Sequence, residues 1–230
     1  MNTKQLLKKI KLSDADFDEI KAAVQKAEAG TTGEIALAMT AESEHYSFWE
    51  LLAATYLAGF AFILMLPLAG RISSLYESFL WEPQDWLLPA IYGAACLTTI
   101  IIGFQIANIP AVDRLIIPRA VRRQSVTDRA FRHFTESGVY RTAEHSGILI
   151  FVSFLERQVR IVADAGIAAK IPQDLWNIIA DDLADGIKTG SAKEGFVSAI
   201  EKCGELLAEQ FPARSENPNE LSDGLAILEA

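Results

Sequence analysis

Residues 147–164, GILIFVSFLERQVRIVAD, decide the fold. Gly147 opens the run Ile148–Phe154, a continuous apolar stretch of the kind that fills a central strand buried on both faces. Leu155–Glu156–Arg157 is a short turn, and QVRIVAD returns with Val159 and Ile161 alternating. A turn this short predicts an antiparallel hairpin. Downstream, Pro172 opens a helix carrying Leu175, Trp176, Ile179 and Leu183, closed by Gly190. Ser191 with Glu194 reads as a capping box for a second helix, with Phe196, Ile200, Cys203 and Leu207 on its apolar face as far as Phe211–Pro212. Upstream, Ser13 with Asp16 reads as another capping box, before Phe17, Ile20, Val24 and Ala27 at helical spacing. Gly30 ends that helix, and Glu34–Thr40, EIALAMT, reads as a strand.

The 230 residues are 50% hydrophobic and 22% charged, with a mean hydropathy of +0.19. That pairing requires the apolar residues to be concentrated. They form two blocks without a charge, Leu51–Ala69 and Leu87–Ile109, of 19 and 23 residues. At about 1.5 Å per residue, ~20 helical residues cross a ~30 Å hydrocarbon core, so each block is long enough. Trp49, Trp81 and Trp86 lie near the block edges, where indole rings favour the membrane interface. The connecting loop holds one basic residue, Arg71, whereas Arg114, Arg119, Arg122, Arg123, Arg129 and Arg132 follow the second block. The positive-inside rule then puts both termini in the cytoplasm. The same arginines suit contact with anionic lipid. With 30 acidic against 21 basic residues and a net charge of −9, the chain lacks the basic balance of a nucleic-acid binder. Cys96 and Cys203 are too few and too far apart for a disulfide scaffold or a CxxC site.

The expected organisation is an α/β domain in two pieces, 1–50 and 110–212. A transmembrane hairpin at 51–109 (helices 51–69 and 87–109) separates them, and a flexible tail covers 213–230. The Glu34–Thr40 strand has no neighbour close in sequence, so its partner is expected to be Ile148–Phe154, across the insertion. If these two run parallel, Glu34, Glu144, His145 and Asp164 gather at one sheet edge, and Gly33, Gly147 and Gly166 allow close backbone approach. Oxygen ligands of this kind suit calcium or magnesium, with Asp164 first and Glu34 second as candidate metal ligands. The same side chains also serve to hydrogen-bond strand ends, and both readings stay open. No GxxxxGK[ST] cradle and no GxSxG elbow occurs, and Asp14–Ala15–Asp16 opens a helix rather than ending a strand, which makes it a cap. His45, His133 and His145 are isolated, and Asp181, Asp182 and Asp185 belong to a solvated helix face.

The order of TGEIALAMT, Ala130–Phe134, SGILIFVSFLERQVRIVADAGI, the Trp176 helix, Lys188–Thr189–Gly190, Gly195–Ile200 and Phe211–Pro212 resembles the TPM domain family. Asn219–Glu220–Leu221 looks like its bacterial membrane-bound branch. The chain departs from secreted members in carrying a membrane hairpin inside the domain and in the sequence Ala163–Asp164–Ala165–Gly166. The resemblance implies an α/β/α sandwich. It implies two function classes as well, because some members are described as acid phosphatases or divalent-cation binders and others assist assembly or repair of membrane complexes. The expectation is therefore a protein of the bacterial inner membrane with a cytoplasmic TPM-like domain. It would serve as an interaction, assembly or quality-control module, with the bilayer and another membrane protein as partners. A divalent-cation-dependent phosphatase-like hydrolase is the alternative.

Overall fold

A computed structural model describes residues 3–79, 84–142, 144–214 and 219–228. Its helices and strands run α1 (Thr3–Ile10), α2 (Asp14–Glu28), β1 (Glu34–Thr40), α3 (Ser47–Met65), α4 (Ala69–Glu77), α5 (Leu87–Ala107), α6 (Pro110–Ile116), α7 (Arg119–Glu136), β2 (Gly147–Ser153), β3 (Gln158–Ala163), α8 (Ala165–Ala168), α9 (Gln173–Thr189), α10 (Ala192–Gln210) and β4 (Leu225–Leu228). The chain divides into an α/β unit, residues 1–45 and 120–230, and a helical unit, residues 46–119.

In the α/β unit the sheet order is β3-β2-β1-β4. β1 pairs in parallel with β2, Glu34 opposite Gly147, and β2 turns back on β3 as the expected antiparallel hairpin. Every residue of β2 is buried, as its unbroken apolar run demands. Alternation sends Ile35, Leu37, Met39, Ile148, Ile150 and Val152 to one face, where α1, α2, α9 and α10 cover them. Ala38, Leu149, Phe151 and Val162 face the other way, under Val126, Ala130 and Phe134 of α7. The result is a mixed α/β sandwich with helices on both sides of one sheet. Trp176 of α9 is the largest buried side chain, 1% exposed. Cys203 is fully buried, and burial pushes its thiol up, so it acts as a small apolar residue.

Two expectations are corrected. Residues 213–230 are not simply a flexible tail: Leu225–Leu228 form β4, parallel to β1, and cover an edge that would otherwise expose unpaired N–H and C=O groups. The part of that tail at 215–218 lies outside the described residues. Ser191 makes no side-chain cap, because it lies in a tight turn: Gly190 has φ 86° and the Ser191 N–H donates to Gly186 O. On α7 the buried apolar stripe is Val126, Ala130 and Phe134, and Phe131 is exposed. The Ser13–Asp16 capping box is present with both reciprocal bonds.

In the helical unit, two helices are long and apolar enough to cross a membrane, Ser47–Leu75 and Leu87–Ala107, each only 11% buried over its most apolar stretch. Pro67 converts Leu66–Leu68 to a 3-10 turn within the first. α3 and α5 pack antiparallel through small residues, with Gly103 against Ala54. The Tyr92 hydroxyl donates to Met65 O at 2.8 Å, and its ring meets Phe62 edge-on. Trp86 is exposed beside α5, and Trp81 lies outside the described residues.

Candidate functional site

The register places Glu34, Gly147 and Asp164 in one row across three strands. Glu34 is opposite Gly147, and the Asp164 N–H donates to Gly147 O at 2.9 Å. Their neighbours Ile35 and Ala163 point into the α9–α10 core, so Glu34 and Asp164 both project to the α7 face, about 10 Å apart at two strand spacings. Between them the space above Gly147 is filled by Val139, whose carbonyl and side chain occupy the position of a β-carbon. The wedge separates the two carboxyls into different clusters.

The first cluster is Asp164 with His145. Asp164 accepts from Ala165 N at 2.6 Å, capping α8, and its other oxygen lies 3.2 Å from His145 Nδ1. Gly166 makes this possible, since a β-carbon there would meet His145 O at 2.6 Å. Glu144 turns away to an ion pair with Arg214 and accepts from the Thr32 hydroxyl at 3.4 Å. An open cleft of about 520 Å³ lies beside these groups, lined by Thr32, Glu144, Lys170, Phe211 and Arg214.

The second cluster is Glu28, Glu34 and Asp223. Glu28 is 6% exposed and accepts from Ile35 N at 2.8 Å. Burial, and then the nearby Glu34 and Asp223 charges, push its carboxyl up to about 8, against the pull of the Ile35 N–H. Burial likewise raises Glu34, which accepts from Leu221 N at 3.2 Å, while Glu220 and Asp223 add repulsion. Asp223 accepts from Gln25 at 2.7 Å and from Asn219 at 2.5 Å. These carboxyls are acceptors for the backbone and amides that seat β1 and the segment entering β4.

The candidate ligands Asp164 and Glu34 thus sit on the same edge and face, but the fold gives each its own protein donors. Among the described residues no group of three or more His, Cys, Asp or Glu side chains is arranged to hold a metal ion. Among the described residues, Asp164 and Glu34 are not joined in one calcium or magnesium ligand set. Glu28 was legible in principle: it continues the Ile20–Val24 stripe at a spacing of four, a carboxyl on an apolar face.

A different polar group closes the opposite end of the sheet. The Glu156 carboxyl, 3% exposed in the β2–β3 turn, accepts from Ser43 N at 3.0 Å and from the Ser153 hydroxyl at 2.5 Å. Ser43 Oγ and Ser153 Oγ are 2.8 Å apart. This network ties the exit of β1 to the hairpin and was not anticipated.

Residues 111–206 match the sequence profile of the family described as TPM domain. The NMR structure of BA42 protein, from the psychrophilic bacterium Bizionia argentinensis, has the same fold, with a TM-score of 0.56 at 20% sequence identity. The superposition covers 94% of this chain and 95% of that one. No curated protein matches the chain. The profile match bears out the TPM resemblance over residues 111–206, and the fold match bears out the α/β architecture.

Proposed function

Taking the chain as a TPM-domain protein, we propose that it is anchored in the bacterial inner membrane and serves there as an interaction module in assembly or quality control of other membrane proteins. The observation that supports this reading is the insertion itself. Two exposed apolar helices of membrane-spanning length interrupt the α/β unit between β1 and α7, so the unit is tied to them at both junctions. In a soluble protein of this size, helices so apolar would be mostly buried. Six arginines after the second helix, against one in the loop, favour both termini and the TPM domain on the cytoplasmic side.

Reporter fusions test the placement. An enzyme active only outside the cytoplasm is expected to work when fused at Ser78 and to fail at Ala230; the reverse pattern removes the cytoplasmic assignment. Pull-down from detergent-solubilised membranes is expected to retain a defined membrane-protein partner, lost when the hairpin is replaced by an unrelated one. Phosphate-ester turnover that requires calcium or magnesium, and disappears in Asp164→Asn or Glu34→Gln, would replace the interaction reading with that of a cation-dependent hydrolase.

A further inference from the structure

At the end of the α/β unit opposite Asp164, a cleft of about 200 Å³ opens between the end of α1, the β2–β3 turn and the end of α9. Its walls carry three cations, Lys9, Arg157 and Lys188, and an apolar floor that includes Phe154, Val159 and Ile187. Among the described residues no carboxylate lines it. This is unusual within a chain of net charge −9. Several cations elsewhere have a carboxylate partner: Lys26 with Glu201, Lys193 with Glu19, Lys202 with Asp182 and Arg214 with Glu144. In the cleft Lys188 has an exposed contact with Asp185 at 3.4 Å, and neither Lys9 nor Arg157 has an ion-pair partner among the described residues.

Lys9 and Lys188 lie in the last turns of α1 and α9, where a positive charge complements the helix dipole. That accounts for two of the three. Arg157 has no such reason to be where it is. Its φ is 53°, in the left-handed region where glycine or asparagine fits a turn with less strain, and the residue held there is instead a long cation beside the cleft. The buried Glu156 beside it in the chain accepts from Ser43 N–H and from the Ser153 hydroxyl.

Cations around an apolar floor select a ligand that is anionic at one end and aliphatic at the other. We propose that this cleft seats the head group and first acyl carbons of an acidic phospholipid. The lipid source rests on the membrane reading above, since a chain carrying two membrane-length helices meets such amphiphiles at high local concentration. Phosphate oxygens pair with Lys9, Arg157 and Lys188, and the aliphatic part lies against Phe154, Val159 and Ile187.

The test titrates the full chain, in a neutral maltoside detergent, with short-chain dihexanoyl phosphatidylglycerol, followed by thermophoresis. Dihexanoyl phosphatidylcholine and tail-less glycerol phosphate are expected to bind about tenfold more weakly or less. The triple variant K9Q/R157Q/K188Q is expected to weaken phosphatidylglycerol binding about tenfold or more, and K170Q/R214Q, at the other edge, to leave it unchanged. Ala184→Phe, which fills part of the floor, is expected to lose the preference for the tailed ligand while keeping affinity for glycerol phosphate. Equal affinity for glycerol phosphate and the lipid in the wild type overturns the proposal in favour of a simple anion site. An unaffected triple variant overturns it as well, as does an equal loss in K170Q/R214Q. Thermal unfolding of each variant separates lost binding from lost structure. Carbonate extraction of cell membranes checks the other reading separately: release of the wild type defeats the membrane anchor, whereas retention with no lipid binding defeats only the cleft.

Discussion

At the N-terminal ends of β1 and β2 the polar groups are mostly carboxyls folded inward against backbone N–H groups and amides. At the opposite ends they are cations facing outward around a cleft. Both ends hold a buried acid, but Glu28 and Glu34 lie near other acids, whereas Glu156 is met by two serines. Burial alone therefore does not mark the working end of this sheet. A buried, satisfied carboxyl is structural cement, and unpaired charge beside an accessible apolar surface points to a ligand.

The scale for any change at either end is set by the core between them. Trp176→Ala is expected to cost about 3–5 kcal/mol, measured by denaturant unfolding in detergent, because the ring is 1% exposed. The indole Nε1 has no hydrogen-bond partner among the described residues, so Trp176→Phe is expected to cost far less. An unchanged midpoint for Trp176→Ala would move that helix face from core to surface. At the carboxyl end, Gly147→Ala drives a methyl into Val139 and is expected to cost about 1–3 kcal/mol. A neutral result would mean that the wedge between Glu34 and Asp164 gives way easily. At the cationic end, Ser153→Ala removes one donor from buried Glu156, with an expected cost of about 1–3 kcal/mol by the same assay.

A pH series separates the ends further. The folded state holds the Glu28 proton up to about 8, whereas the unfolded chain releases it near 4.5. The unfolded state thus binds fewer protons between those values, and stability present below pH 4.5 is lost as pH rises towards 8. Glu28→Gln keeps an acceptor for Ile35 N–H and cannot ionise, so its unfolding midpoint is expected to vary less between pH 5 and 8. Parallel curves for mutant and wild type would remove Glu28 as the source. The smallest effect belongs to Lys188→Gln, within about 0.5 kcal/mol, because its ammonium is exposed. A larger loss would make the cation structural and blur the contrast between the ends.

Much of the sandwich was legible because long apolar patterns are redundant. The unbroken Ile148–Phe154 run specifies a central strand, and a strand with no local neighbour needs a partner across the insertion. Trp176 on its amphipathic helix identifies the core in the same way. β4 was not legible: four residues, LAIL, inside an acidic segment carry too little signal, and only the open edge of β1 gives them a structure. α1 went unread, although Leu6 and Ile10 bury one side of it. At the candidate site, sequence reasoning brought Glu34 and Asp164 to one edge but did not foresee Val139 between them. The Ser43–Glu156 contact joins residues 113 apart in the chain, and no local pattern encodes it.

The position of β1 also bears on how the chain is made. It is the first strand to leave the ribosome, yet both of its neighbours are encoded far downstream: Leu221, beside β4, lies 187 residues from Glu34. At ~5–20 residues per second, roughly 10 to 40 s separate their synthesis. Both edges of this short hydrophobic strand lack partners until β2 is made, and the β4 edge lacks one for the whole interval, while the segments that follow it are the most apolar in the protein. Delivery of those segments to a translocon would hold the nascent strand in place until its partners arrive. On the membrane reading proposed above, a hairpin inserted directly after β1 makes integration an early step in folding and closure of the sheet a late one.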